Sequence, residues 1–329
     1  MSAHGSGSGR HGRTGTARYE LHCHLDGSVR PDTLADLARP AGVPLARPIR
    51  ELAVAPPDVG SLAAFLPYLD FPLDVLQSPP ALQRAARELV EDWHRDGVAY
   101  GEARFAPQLH TRAGIGIDDA IRAVAAGLRD GGSATGVATG LIVCCLRHQP
   151  PDASLAVADA AARLRGLVAG IDLAGDESYP GSTHREAFDL AHAAGIPVTV
   201  HAGEAAGPAS VWEAVEVLGA RRIGHGVRSV HDEALVRRLH RDRIPLEMCP
   251  TSNVMTRAVP EMAAHPADHL LTRGLAVTIS TDGRTTADTS LDHELAQLTR
   301  TFGWTDRHWR AVQDNARDAA FAPRHLEGR

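Results

Sequence analysis

The stretch YELHCHLDGS, Tyr19 to Ser28, is the first run of the chain with strand character, and it ends in two histidines one residue apart. Side chains on a strand alternate faces, so His22 and His24 project together while Cys23 points the other way. The turn after this strand decides between two fold classes. An open doubly wound sheet places a Gly-rich turn after its first strand, and the residues after Ser28 supply no such turn.

Working outward, short apolar runs alternate with Ala/Leu/Arg-rich helical stretches, the rhythm of parallel strands joined by helices. Strands are expected over 19–24, 98–107, 136–146, 167–175, 196–204, 221–226, 244–250 and 275–283. Between them lie amphipathic segments such as PALQRAARELVEDWHRDG and DEALVRRLHRDR, whose apolar residues recur at helical spacing. Eight strand-then-helix units predict an α/β fold, a (β/α)₈ barrel of the TIM type. Residues 31–80 break the rhythm. In this insertion between the first two strands Leu62, Phe65, Leu66 and Leu69 share one helical face, which on pattern alone reads as core packing, with a lid over the barrel mouth as the other reading.

The 34 basic and 40 acidic side chains are mixed along the chain and give a formal charge of −6, so no basic face for nucleic acid or for an anionic membrane is expected. Lysine is absent, which excludes Schiff-base chemistry and a P-loop. The four cysteines show no C-x-x-C spacing and fit a reducing, cytoplasmic setting. Residues 1–18 read as a disordered tail without a signal or anchor, and 19–329 as one domain. The oligomeric state is left open.

Polar and ionisable residues sit near the end of nearly every expected strand: His22 and His24, Glu102, Asp172 with Gly175, His201 with Glu204, His225, Cys249 with Ser252, and Asp282. In a barrel those ends converge on one mouth. Three imidazoles from His22, His24 and His201 with the Asp282 carboxylate make a plausible set for a catalytic metal with an open water position. Glu204 stands near enough for general acid/base work, and His225 for orienting a water or taking its proton. The bland readings stay open: Glu204 as a helix cap, His225 as a core histidine, Asp282 as a turn residue. Other templates fail. HELAQ at His293 has Gln297 where a zincin needs its second histidine, and neither the cytidine-deaminase pattern nor G-x-S-x-G occurs.

The stretches ELHCHLDGS, YGEARFAPQLHT, GIDLAGDE, HAGE, IGHG, CPTSNVMT and STD occur in an order that resembles the adenosine deaminase family of metal-dependent barrel hydrolases, from about Tyr19 to Pro323. The resemblance implies one Zn²⁺ held by His22, His24, His201 and Asp282. It implies that Glu204 protonates ring nitrogen 1 of a purine, that His225 positions and activates the attacking hydroxide, and that Asp282 also bonds the attacking water. Gly175 would meet ring nitrogen 3 through its N–H, Asp26 the ribose 5′-hydroxyl, and Leu62, Phe65 and Leu66 would form the lid. The activity implied is hydrolysis of adenosine or 2′-deoxyadenosine to the 6-oxopurine nucleoside and ammonia. A carboxylate at Asp26 would repel a phosphate, favouring a free nucleoside over a nucleotide.

One position departs from the pattern. Many members carry a second aspartate that bonds ring nitrogen 7, and here Gly283 stands in its place. Water, Arg284 or a different substrate could cover the loss, so a modified adenine nucleoside or other aminopurine is the alternative substrate. A nucleoside-binding protein without catalysis is the third reading, disfavoured by the complete acid, base and metal set.

Overall fold

A computed structural model describes residues 17–321. The eight expected strands all form, as β1 Arg18–His24, β2 Val98–Phe105, β3 Ala138–Leu146, β4 Gly170–Ala174, β5 Val198–Ala202, β6 Arg222–His225, β7 Leu246–Met248 and β8 Val277–Ile279. They make one sheet in chain order, each parallel to the next. The ring closes beyond β8: the His24 N–H donates to the Asp282 carbonyl at 2.6 Å, and the Asp282 N–H to the His22 carbonyl at 3.0 Å. The fold is a (β/α)₈ barrel. Of the expected tail, residues 1–16 lie outside the described residues, and Arg18 already belongs to β1.

Several strands are shorter than the runs that announced them, because their last polar residues leave the ladder to aim side chains at the rim. Glu204 lies past the end of β5 and Asp282 past β8. The outer layer follows the helical spacing read from sequence. Pro79–Arg95 buries Leu82, Leu89 and Trp93, and Glu233–Asp242 is capped by the Asp232 carboxylate, which accepts from the N–H groups of Ala234 and Leu235. Each such leucine contributes roughly 2 kcal/mol of burial. No helix among the described residues is long and apolar enough to cross a membrane.

The inside of the barrel is not apolar. Arg104 from β2 donates to Asp172 of β4 at 3.0 Å and to Glu247 of β7 at 2.7 Å. Arg222 from β6 donates to Glu247 and to Glu102, each at 2.6 Å. Here the structure corrects one expectation. Glu102 does not reach the rim but faces the lower half of the barrel, where it also accepts from the Tyr100 hydroxyl and the Phe321 N–H.

The insertion is broken into short helices, Pro31–Ala38, Ile49–Ala53, Leu62–Phe65 and Asp70–Val75, with a 3₁₀ turn over Leu66–Leu69. Ser61 caps the third, its hydroxyl accepting from the Ala64 N–H at 3.1 Å. Phe65 is buried against Ala55, Met255 and Ala287, while Leu62 and Leu66 remain half-buried. Met255 and Ala287 belong to the segments after β7 and β8, so Phe65 rests on the rim.

Candidate active site and metal centre

His22, His24, His201 and His225 gather at the C-terminal ends of β1, β5 and β6. Ring centroids lie 4.5 Å apart for His22 and His201, 4.7 Å for His22 and His225, and 5.2 Å for His24 and His201. Gly224 makes this approach possible, because a Cβ there would stand 3.1 Å from both the His22 ring and the His201 backbone. His225 and Asp282 both adopt positive φ, 60° and 65°. Such backbone costs about 1 kcal/mol or more per non-glycine residue, and it turns both side chains into the cluster.

The Nε2 atoms of His24 and His201 are 3.1 Å apart, and Asp282 Oδ1 lies 3.4 Å from the first and 3.5 Å from His22 Nε2. Ligand atoms of His22, His201, His225 and Asp282 also fall within 4.8 Å of one another. The donor chemistry fits a cation. His22 Nδ1 faces Glu247 at 2.9 Å and His201 Nδ1 faces Asp172, so each ring gives its proton to a carboxylate and turns its Nε2 lone pair inward. The inward His22 Nε2 is buried and has no hydrogen-bond partner. Charge points the same way: Glu102, Asp172 and Glu247 share two guanidinium groups, Arg104 and Arg222, which leaves one negative charge, and Asp282, which faces histidines and no arginine, adds a second for a divalent ion to balance.

Titration follows this balance. Burial, with Arg104 beside it, lowers the His22 pKa to about 4, and burial likewise holds His24 well below its usual value. Burial also lowers His201, yet Asp172 outweighs it and the net shift is upward, the mark of a pocket that draws positive charge. Asp282 stays well below the carboxylate range because contacts with His22, His24 and His225 overcome its burial. Glu204 goes the other way. Burial raises its pKa despite His225 at 3.5 Å, while the Thr256 hydroxyl donates to its other oxygen at 3.0 Å.

Matching of the chain to the family model described as adenosine deaminase covers residues 17–327. The chain belongs to the adenosine deaminase family. Among its relatives, the adenosine deaminase of Clostridium acetobutylicum is 37% identical over 310 residues, 93% of each chain. A crystal structure of adenine deaminase from Arthrobacter aurescens superposes with a TM-score of 0.89 at 29% identity, covering 95% of this chain and 96% of that one. An amidohydrolase from Burkholderia ambifaria with bound zinc gives 0.86 at 29% identity, covering 95% and 87%. As a member of this family the protein is a hydrolytic deaminase acting on a C–N bond.

The remaining expected residues fall around the same mouth or close to it. Asp26 is buried in the turn after β1, and burial raises its pKa to about 6. Gly175 follows β4 directly. Gly283 packs face to face with Gly27: a Cβ there would lie 3.2 Å from the Gly27 carbonyl oxygen. Arg284 does not cover the missing aspartate, since its guanidinium turns away to Glu20 and Asp96.

Sequence reading missed several residues that build the site. Glu177 accepts from the N–H groups of Gly203, Glu204, Ala205 and Ala206 and from the Ser210 hydroxyl, and so shapes the loop that carries Glu204. Asn253 reaches His225 Nδ1 at 2.9 Å, next to Ser252, which the sequence did place at the mouth and which donates to Asp282 Oδ2 at 2.7 Å. The available signal was a lone charge inside an apolar strand run, as at Arg104, Arg222 and Glu247.

Proposed function

We propose that the protein is a zinc-dependent adenosine deaminase, converting adenosine or 2′-deoxyadenosine and water to the inosine product and ammonia. The observation that carries this reading is the convergence of three inward imidazoles and Asp282 beside a buried Glu204, whose pKa burial raises, in a chain of this family. His22, His24, His201 and Asp282 would hold the ion, and when bound it supplies a water acidified to near neutrality.

The chain's own residues do the rest. As the water oxygen adds to carbon 6, the N1–C6 π pair moves onto nitrogen 1 and takes the proton that Glu204 hands over. Asp282 and His225 hold that oxygen in line. The C6–N bond then breaks as the proton of the added hydroxyl passes to the leaving nitrogen, giving ammonia and the 6-oxopurine, and the water's other proton restores Glu204. The Gly175 N–H faces nitrogen 3, Asp26 bonds the 5′-hydroxyl and disfavours a 5′-phosphate, and Leu62, Phe65 and Leu66 cover the pocket. Residues 19–329 act as one catalytic unit. Purified protein should convert adenosine to inosine with one equivalent of ammonia; a protein carrying stoichiometric metal that leaves adenosine unchanged removes this reading.

A second reading changes only the base or its substituents. Gly283 has no side chain to bond ring nitrogen 7, and Arg284 is committed elsewhere. A panel of adenine, adenosine, 2′-deoxyadenosine and N6- or 5′-modified nucleosides separates the two. Preference for adenosine eliminates the second reading.

A further inference from the structure

Four histidines crowd the cluster, and proximity alone does not say which are ligands. For His22, His201 and His225 the hydrogen bonds behind the ring do. His22 and His201 each back onto a carboxylate, which can only accept, so their protons sit on Nδ1. His225 instead backs onto an amide, 2.9 Å from Asn253 Nδ2.

Which end of that amide faces His225 is decided by two backbone N–H groups, whose direction is not adjustable. The Cys249 N–H donates to Asn253 Oδ1 at 3.3 Å. The Ala267 N–H donates to His265 Nδ1 at 3.2 Å, which places the His265 proton on Nε2, and that proton points at the same Asn253 Oδ1 at 3.2 Å. Turning the amide over would set two donors against its NH₂ group. Asn253 therefore presents NH₂ to His225, whose Nδ1 must accept. Asn253, His265 and His225 are almost wholly buried, so water does not offer an alternative partner.

We propose that Asn253, oriented by Cys249 and His265, is a positioning residue that locks His225 with its proton on Nε2, the reverse of His22 and His201. His225 then enters the cluster as a hydrogen-bond donor to the reacting oxygen and is kept out of the ligand set, leaving that place to His24. This deepens the deaminase reading and rests on it for the identity of the reacting oxygen, but not for the tautomer itself.

The test is nitrogen NMR of ¹⁵N-histidine-labelled, metal-loaded enzyme, with the His225 ring assigned by its loss in His225→Gln. The expected spectrum shows His225 protonated at Nε2, with neither ring nitrogen bound to metal. Asn253→Asp, an acceptor at the same place, should move the proton to Nδ1 and lower kcat by about 10- to 100-fold, with KM changed less than about threefold and metal content unchanged. His265→Leu should give a mixed His225 signal, and His265→Gln, which restores an N–H donor, should return it to the Nε2–H form. A parent spectrum with the proton on Nδ1, or with His225 Nε2 bound to metal, overturns the proposal even if Asn253→Asp fails to fold. A parent spectrum as expected in a protein inert toward adenosine keeps the proposal and removes the deaminase reading instead.

Discussion

The lower half of the barrel and its rim are built from the same residue types to opposite ends. Below, Glu102 and Glu247 meet Arg104 and Arg222 in short charge-assisted bonds, and the segment Ala319–Phe321 closes the end, its Ala319 carbonyl accepting from Arg222. At the rim the pairing stops. His22 Nε2 has no partner, Glu204 faces no arginine, and two residues sit in left-handed backbone. The difference teaches where to look for chemistry: below, each of these glutamates meets a guanidinium and the network holds shape, while at the rim imidazole nitrogens and a carboxylate converge with no arginine among them, a place prepared for something absent from the chain.

Substitutions can sharpen or break that contrast. The largest effect is expected at the rim: Glu204→Gln should lower kcat by about 10³- to 10⁴-fold while bound metal and the urea midpoint stay near those of the parent. A comparable loss of stability would mean the rim is structural after all. Below it, Glu247→Gln should lower unfolding free energy by about 3–5 kcal/mol, because two guanidinium groups lose a shared counter-charge. The same variant should weaken metal binding about 10- to 100-fold in competition with a chelator, since His22 Nδ1 loses its anchor.

Glu294 is a useful control, buried like Glu247 but facing threonines and not arginines. Burial raises its pKa to about 7, above its ordinary 4.5. The folded state therefore binds this proton more tightly than the unfolded chain, and stability should fall as pH rises between about 4.5 and about 7. Glu294→Gln should remove on the order of 2 kcal/mol of that decline, read from urea midpoints at pH 4.5 and pH 7.5. The smallest effect is expected at the insertion, where Phe65→Ala should raise KM several-fold, with kcat little changed if Phe65 only covers the pocket.

The eight strands were legible because parallel strands buried on both faces read as apolar runs, and HAGE, IGHG and STD marked their polar ends. The His-x-His pair and Asp282 were legible for the same reason, since each closes a run. What stayed hidden depends on contacts between distant strands. Arg104, Arg222 and Glu247 each look anomalous alone and make sense only as one network spanning β2, β6 and β7. Glu102 was misplaced because its run continues past it to Phe105, and strand length, not polarity, set its depth. The part played by Asn253 is a matter of hydrogen-bond direction, which spacing does not encode.

The central claim is that three imidazoles and one carboxylate from three distant segments grip a single divalent ion at the rim. Anomalous diffraction at the zinc absorption edge, from crystals of protein purified without added metal, tests it most directly. The account predicts one peak, within about 2.0–2.2 Å of His22, His24, His201 and Asp282 and not bonded to His225. No peak there, a peak elsewhere, or one bonded to His225 in place of His24 would contradict it.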